Sequence, residues 1–372
     1  MRIAPFELER WQSVWENRVE LNISESGVEP LTAAELMEDA ALRERVLGTP
    51  LAYPPTQGGE EMRAHIATQY PGATPDNILA TCGCSEANYV TTWALVEPGD
   101  EVVFMKPNYM QIEGVAQAFG ATVKDFFLRE EMKWAPDIEE LRRAVTPKTK
   151  LIAVCNPNNP TGAVMNEATM NEICVIAGKA GAWLLADEVY RGAEMNGVLA
   201  PTFYGRYERV ICTGGLSKAY GLPGLRTGWI AAPADFIQEA WGYHDYTSIG
   251  PAMLTDRLAT LALEPARRER IFARTRRLLK EHYPVVRDWV AKHNSRVTHV
   301  PPAAGAIALV GLPNTDTAAL ARTLLDRASV LIVPGEQFAL PGYIRIGFGY
   351  SADPLRKALA RMDSYLAAAA SA

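Results

Sequence analysis

Lys218 lies between glycines and small apolar residues, directly after an apolar stretch of the chain. A lysine in such surroundings loses part of its hydration, which lowers the pKa of the amine. The neutral amine is a nucleophile that can form a Schiff base with a carbonyl group. Lys218 is therefore the first candidate for covalent chemistry. An exposed lysine in a glycine-rich loop is the alternative interpretation of this motif alone.

Asp187 and Tyr190 follow the apolar run Trp183–Ala186. A carboxylate at the end of a buried strand is costly unless it meets a cation, so Asp187 is a candidate partner for a positively charged group. The alternative is an acid that only caps a turn.

Asn159 lies in the turn Asn156–Gly162, which follows the apolar run Lys150–Cys155. Two prolines fix the path of this turn, and asparagine amides can donate hydrogen bonds to a ligand oxygen. Taken alone, the turn could be rigid without binding anything.

The turn Gly83-Cys84-Ser85 joins an apolar stretch to a helical pattern. Small residues there let backbone N–H groups at a helix N-terminus approach a phosphate. The motif is neither Gly-x-Gly-x-x-Gly nor a Walker loop, so a dinucleotide or a nucleoside triphosphate is not favoured.

These turns belong to an alternation of short apolar runs and helical patterns, which indicates a parallel sheet buried on both faces, an α/β fold with right-handed crossovers. Ligands bind beyond the carboxyl ends of parallel strands, so the turns should meet at one edge. We predict strands over Ile78–Thr81, Glu101–Met105, Lys150–Cys155, Trp183–Ala186, Val210–Thr213 and Gly228–Ala232, and helices over Glu86–Val96, Gln111–Phe119 and Asn166–Ala180.

The C-terminal third has an α+β pattern that suggests a smaller domain. It comprises a long helix over Pro265–His293, strands near Ala306–Val310 and Tyr343–Phe348, and helices over Thr317–Ala328 and Pro354–Ala368. We predict an N-terminal arm with part of the small domain over residues 1–35, a large domain over 36–250 and the small domain over 251–372. The arm shows no sheet pattern, and we expect it to be structureless and to pack elsewhere.

The composition excludes several classes of protein. The 372 residues are 48% hydrophobic and carry a net charge of −6, which fits a globular chain and lacks the basic field of a nucleic-acid binder. No apolar run has the roughly 18 residues of a membrane span, and the charged N-terminus is no signal peptide, so we expect a cytoplasmic protein. The five cysteines should be reduced, and the scattered histidines predict no metal site.

Together, the four turns, in their order along the chain, resemble those of the class I and II aminotransferases, fold-type I enzymes that use pyridoxal 5′-phosphate (PLP). The resemblance runs from about Asn22 to Tyr365. It implies a large domain with a mostly parallel sheet flanked by helices, plus a smaller α+β domain. It also implies PLP as cofactor, an amino acid and a 2-oxo acid as substrates, and a homodimer.

The resemblance assigns roles to the polar residues of the turns. Lys218 matches the lysine that forms the Schiff base with PLP and later moves the proton. Asp187 matches the carboxylate that pairs with the pyridine nitrogen, and Asn159 and Tyr190 match the donors to the phenolic oxygen of the ring.

The remaining cofactor contacts follow in the same way. Arg226 matches the arginine that binds the phosphate, and Gly83, Cys84 and Ser85 fall in the phosphate-binding turn with Ser217 as a further contact. Tyr109 matches the aromatic residue that stacks on the ring. Tyr53 matches a tyrosine that reaches the phosphate across a dimer interface.

The residues expected near the substrate match the family pattern less completely than the cofactor contacts do. Arg345 matches the arginine that binds the substrate α-carboxylate, with Asn159 beside it. Position 215, often Ser or Thr in the family, is Gly215 here. The segment Ser24–Val28 resembles the branch that contains capreomycidine synthase and related arginine-handling PLP enzymes, which makes Glu25 and Gly27 candidate substrate contacts.

The side chain of the substrate stays open. Glu25 and Asp245 as acids at the mouth would favour a cationic side chain such as that of arginine, ornithine or lysine. The alternative is that both acids are solvated and that Tyr243 and Tyr246 receive a neutral or aromatic side chain.

We expect a PLP-dependent aminotransferase. One alternative is an enzyme that catalyses another PLP reaction on an amino acid, either an arginine-type cyclase or oxidase, or a β- or γ-lyase or ACC-synthase-like enzyme that catalyses an elimination. The other alternative is a non-catalytic PLP-binding protein.

Overall fold

The computed structural model describes residues 2–369 and contains a central sheet of eight strands. Short runs of apolar residues form most of its strands, and the strands are buried on both faces because helices cover both sides. In spatial order the strands are Ile78–Thr81, Gly228–Ala231, Val210–Gly215, Trp183–Asp187, Thr149–Cys155, Glu101–Lys106, Thr122–Arg129 and Ala135–Pro136.

The sheet is mostly parallel, as predicted, and contains two antiparallel strands, Gly228–Ala231 and the edge strand Ala135–Pro136. The five strands from Val210–Gly215 to Thr122–Arg129 are parallel, but Gly228–Ala231 is antiparallel to both neighbours. The loop of residues 216–227 contains only one short helical turn, Pro223–Leu225, and no crossover helix, so the chain reverses direction there. Thr122–Arg129 was not predicted because its residues are half polar.

Seven helices flank this sheet within the described residues. Cys84–Leu95 follows the first strand directly, so the turn at its start lies at the carboxyl end of that strand. The helices are Glu60–Ala67, Cys84–Leu95, Gln111–Ala118, Ile138–Ala144, Glu167–Ala180, Ala234–His244 and Met253–Leu263.

A second, antiparallel sheet forms the C-terminal region. Its strands are ordered Thr298–His299, Ile307–Gly311, Tyr343–Gly347 and Val333–Pro334. The helices Pro265–Lys292, Thr317–Thr323 and Ala352–Ala369 accompany it, and Leu324–Ala328 continues the second of these as a wider turn. Helix Met253–Leu263 packs against Glu60–Ala67, on the side of the large sheet. The domain boundaries at residues 35 and 250 stay predictions.

The N-terminal residues have regular structure, contrary to the expectation of a structureless arm. Glu7–Trp15 is a helix, and Leu21–Asn22 pairs in parallel with Val330–Leu331. Short helices over Ala33–Leu36 and Ala40–Leu47 follow.

Apolar contacts bind the first helix to its own chain. Leu8 is buried against Val333 and Phe338, and Trp11 Nε1 donates to the carbonyl of Ile332 at 2.8 Å. The helix therefore covers part of the C-terminal region of the same chain. No helix among residues 2–369 is both long and apolar enough to cross a membrane.

Candidate active site

A cavity of about 400 Å³ lies at the carboxyl ends of the central strands. Its walls come from the turns after several strands and from the N-terminal residues, so distant parts of the sequence converge on it. Ten of the predicted site residues line it: Glu25, Cys84, Ser85, Tyr109, Asn159, Asp187, Tyr190, Ser217, Lys218 and Arg226.

Lys218 stands on the loop after strand Val210–Gly215. Its Nζ donates to Ser26 Oγ at 2.9 Å, which ties the loop to the N-terminal segment. Burial lowers the pKa of Lys218, and the charge of Arg345 acts in the same direction, whereas Glu25 opposes it. A lowered pKa raises the fraction of neutral amine near neutral pH, which is the form that attacks a carbonyl.

Asp187 is the last residue of strand Trp183–Asp187 and is 7% exposed. Asn88 Nδ2 donates to its Oδ2 at 2.9 Å, and the backbone N–H of Val189 donates to its Oδ1 at 3.0 Å. Burial raises the pKa of Asp187, and these hydrogen bonds oppose the rise. No lysine or arginine of residues 2–369 forms an ion pair with Asp187, so its charge is available to a cationic ligand.

Arg345 and Asn159 form one buried unit. Arg345 is 1% exposed, and its two Nη groups donate to Asn159 Oδ1 at 2.9 Å and to the carbonyl of Ser24 at 2.7 Å. This contact turns the Oδ1 of Asn159 toward Arg345 and leaves its amide nitrogen as a donor. Arg345 Nε and the hydroxyl of Tyr190 are buried without a hydrogen-bond partner among the described residues. Such orphaned donors are expected where a ligand completes the site.

The start of helix Cys84–Leu95 makes a narrow cradle. Gly83 has φ +81°, and a Cβ there would lie 2.5 Å from Arg226 Nη2. A Cβ at Gly228 would lie 2.3 Å from the backbone nitrogen of Cys84. Only glycine fits these two positions, which brings the guanidinium group of Arg226 against the helix N-terminus. Backbone N–H groups and an arginine together suit a phosphate.

Gly215, which differs from the family pattern, has a local reason. A Cβ at this position would lie 3.1 Å from the carbonyl of Thr227 and 3.4 Å from the Cβ of Cys84. A serine or threonine at this position would therefore make a tight contact with the backbone at Thr227, which glycine avoids.

Tyr109 borders the cavity from the loop after strand Glu101–Lys106. Its hydroxyl donates to Glu9 Oε1 at 2.7 Å, and its ring packs on Phe6 with centroids 4.8 Å apart. Burial raises the pKa of Tyr109, and the charge of Glu9 adds to this effect. The N-terminal helix therefore holds this aromatic ring in place.

Some predicted residues do not line the cavity. Tyr53 is 90% exposed and does not reach it in the single chain. Gly27 lies beside it, since a Cβ there would be 3.3 Å from the carbonyl of Ser217. Asp245 and Tyr246 are exposed and also lie outside the lining. They do not form the expected mouth.

The first helix contributes lining residues that the sequence motifs did not predict. Glu9, Gln12, Ser13 and Glu16 line the cavity, and their spacing places them on one face of helix Glu7–Trp15 and its end. Leu8, Trp11 and Trp15 at similar spacing mark an apolar face, so the helical period was the signal that could have revealed both faces.

Three carboxylates, those of Glu9, Glu16 and Glu25, line the cavity. Burial raises the pKa of Glu16, and the charges of Glu25 and Glu9 raise it further. No described lysine or arginine forms an ion pair with any of them. Asn88 and Ser26 are the other polar lining residues that sequence patterns did not indicate.

Comparison with known proteins shows the family to which the chain belongs. The family model described as aminotransferase class I and II matches residues 21–362. Capreomycidine synthase of Streptomyces vinaceus is 32% identical over 363 residues, which covers 96% of this chain and 93% of that protein.

Solved structures agree in fold. A PLP-dependent aminotransferase from Streptococcus suis superposes with a TM-score of 0.93 and 33% identity, covering 99% of both chains. The PLP-dependent cyclase OrfR superposes with a TM-score of 0.89 and 27% identity, covering 99% of this chain and 98% of its own.

Proposed function

The chain belongs to the class I and II aminotransferases, whose cofactor is PLP, and we propose that it transfers the amino group of an amino acid to a 2-oxo acid. The observation that carries the proposal is the convergence of Lys218, Asp187 and Arg226 on one cavity. These residues supply a nucleophilic amine, an anion and a phosphate-binding cation.

The described residues fit PLP. Asp187, which forms no ion pair with a described lysine or arginine, would face the ring nitrogen, and Arg226 with the N–H groups at Gly83–Ser85 would hold the phosphate. Asn159 and Tyr190 carry the donors for the phenolic oxygen, and the unpartnered hydroxyl of Tyr190 is explained in this way. When bound, PLP supplies the electron sink for bond breaking at the α-carbon of an amino acid.

The side chains of this protein would then handle the substrate and its proton. Lys218 Nζ, with its lowered pKa, would take the proton from the substrate α-carbon and return it. Arg345 would bind the α-carboxylate, for which its unpartnered Nε is a free donor. The helix Glu7–Trp15 would exclude water from one side of the cavity.

For the substrate side chain we propose a cation, such as the guanidinium group of arginine or a terminal ammonium group. Arg226, Arg345 and Lys218 have partners in the scheme above, whereas Glu9, Glu16 and Glu25 form no ion pair with a described lysine or arginine. A positively charged side chain would relieve their mutual repulsion.

The substrate proposal is tested by comparing kcat/KM for arginine, aspartate and phenylalanine. In Glu16→Gln and Glu25→Gln the preference for arginine should shrink. Glu7→Gln is the matched control, because Glu7 is exposed on the same helix and does not line the cavity. Equal values for the three amino acids, unchanged in both variants, would contradict a cationic substrate.

We also propose a homodimer with shared sites. Leu47, Leu51 and Tyr53 are 77%, 83% and 90% exposed within one segment, and a second copy would cover this apolar surface. Mixed dimers of Tyr53→Phe and Lys218→Ala chains should recover one active site per dimer. A monomer in sedimentation at micromolar concentration would contradict the proposal.

A cytoplasmic location remains a prediction, which the five free cysteines support.

A second candidate is a cyclase that acts on an arginine-type amino acid. It is favoured by the similarity to capreomycidine synthase and to the cyclase OrfR, together with the three carboxylates. The site residues named above serve both reactions, since the scaffold does not decide the reaction type.

A single turnover separates the two reactions. Stoichiometric enzyme with PLP, given arginine and no acceptor, should yield one equivalent of 2-oxo acid and leave the cofactor as pyridoxamine 5′-phosphate. A cyclised product, or released ammonia with the cofactor still as PLP, would overturn the transaminase proposal in favour of other PLP chemistry.

A further inference from the structure

Asn88 lies one turn into helix Cys84–Leu95 and is 2% exposed. Its Nδ2 donates to Asp187 Oδ2 at 2.9 Å, and its Oδ1 accepts from the hydroxyl of Thr213 at 2.7 Å. Thr213 pairs with Asp187 across the neighbouring strands and is fully buried. The three side chains therefore form one chain of hydrogen bonds that ends at the carboxylate.

Thr213 fixes which way the amide of Asn88 points. Its hydroxyl donates to Oδ1, which leaves Nδ2 to face Asp187. In the flipped orientation Oδ1 would face the carboxylate, and two acceptors would stand within 3 Å of each other without a proton between them. Loss of the Thr213 hydroxyl removes the group that favours the observed orientation.

Neutral donors have a specific consequence for Asp187. Burial raises the pKa of Asp187, and the hydrogen bond from Asn88 is the largest influence in the opposite direction. An amide stabilises the anion without cancelling its charge, whereas a lysine or arginine in the same place would compete with a cationic ligand. The hydrogen bonds thus favour the charged carboxylate without pairing it with a protein cation.

Among the other titratable groups near Asp187, the charge of Lys218 also lowers the pKa of the carboxyl group, but less than the hydrogen bond from Asn88 does. Burial raises the pKa values of Cys84, Cys155 and Tyr190, so these three groups are neutral at neutral pH. The pKa of Lys218 is lowered by burial. Cys84 Sγ lies 3.7 Å from both oxygens of Asp187 and is at most a weak further donor.

We propose that Asn88, oriented by Thr213, is a positioning residue that keeps Asp187 as the anion met by the ring nitrogen of PLP. With Asn88 in place, Asp187 would remain the weaker base of the two, and the proton shared with the ring nitrogen would stay on the nitrogen. Without Asn88, the carboxylate would be more basic and would compete for this proton, which would weaken the electron sink that PLP supplies. The inference rests on the cofactor and not on which PLP reaction follows.

The test is the ¹⁵N NMR signal of PLP labelled at the ring nitrogen, bound to the enzyme without substrate. The parent should show a protonated ring nitrogen. Asn88→Leu should shift the signal to the position of a neutral pyridine while the phosphate contacts still hold the cofactor. A protonated ring nitrogen in Asn88→Leu would overturn the proposal, whether or not the enzyme transaminates.

Milder variants keep the test decisive if Asn88→Leu does not fold. Thr213→Val removes only the hydroxyl and should shift the signal in the same direction, and Thr213→Ser should restore it. Thr91→Val is the matched control, because the Thr91 hydroxyl is buried on the same helix without a hydrogen-bond partner. A signal unchanged in Thr213→Val, or shifted equally in Thr91→Val, would contradict the role of Thr213.

Discussion

Lys218 Nζ donates a 2.9 Å hydrogen bond to Ser26 Oγ, 192 residues away in the sequence. The contact joins the loop after a central strand to the N-terminal segment, which also carries Glu25. Glu25 is the largest influence that counters the effect of burial on the pKa of Lys218. The reactivity of the lysine therefore depends on a segment far from its own motif.

The first prediction concerns pH. Because burial lowers the pKa of Lys218, the neutral amine should appear at lower pH than for an ordinary lysine, whose pKa is 10.5. The rate at which the apo-enzyme captures PLP should rise with pH, with a midpoint below that of Nα-acetyl-lysine.

The variant Glu25→Gln tests the influence of Glu25 on the lysine. The negative charge of Glu25 raises the pKa of Lys218, so its removal should move the midpoint of PLP capture to still lower pH. A midpoint equal to that of Nα-acetyl-lysine, or an upward move in Glu25→Gln, would contradict this account of the lysine.

Asp187→Ala should lose much more rate than cofactor affinity. The phosphate contacts of Arg226 remain in this variant, whereas the electrostatic support of the ring nitrogen is lost. We expect kcat to fall by at least about 100-fold, while the Kd for PLP from equilibrium titration changes far less. A near-normal kcat would show that the ring nitrogen is not stabilised by Asp187.

The sequence was enough to predict that Lys218, Asp187 and Asn159 lie together, and the three side chains line one cavity. Each stands at or shortly after the end of a short apolar strand, and the carboxyl ends of parallel strands meet at one edge of the sheet. Glu9 and Glu16 could not be placed, because their helix reaches the cavity only after Leu8 packs on Phe338, a contact between distant parts of the chain.

The role of Asn88 also could not be predicted from the sequence, because it too depends on tertiary contacts. Its role depends on the packing of helix Cys84–Leu95 against strand Val210–Gly215 and on the hydrogen bond to Asp187, which no local pattern specifies. The reversal at Gly228–Ala231 was likewise set by the short loop before it rather than by its own apolar residues.

Arg345→Ala should raise KM for every amino acid substrate by a similar factor. Removing one partner of a buried charge pair costs about 2–5 kcal/mol, or roughly 30- to 4,000-fold in affinity. Arg345→Lys should recover only part of this loss, because a lysine lacks two parallel donors. Steady-state kinetics with several amino acids would measure it, and an effect confined to one side chain would contradict a role at the α-carboxylate.

Glu86 should stabilise the fold in a pH-dependent way. Burial opposes its charge, but hydrogen bonds from His244 and from the backbone of Cys82 outweigh burial and lower the pKa of Glu86 to about 2. A lowered acid pKa gives stability that is present above the ordinary value of 4.5 and is lost as pH falls through the folded value.

Glu86→Gln should therefore lower Tm at pH 7, and the difference from the parent should shrink between pH 4.5 and pH 2. Thermal unfolding across this range measures it. Glu97→Gln is a suitable control, since Glu97 is exposed just beyond the same helix. A difference in Tm that stays constant down to pH 2 would contradict this origin.

The central claim is that PLP is bound covalently to Lys218 in this cavity. Reduction of the holoenzyme with borohydride, followed by peptide mapping, tests it most directly. We predict that the visible absorbance band disappears and that the label is found on Lys218 alone, while Lys218→Ala binds PLP without label or turnover. A label on any other lysine, or retained turnover in Lys218→Ala, would contradict the account.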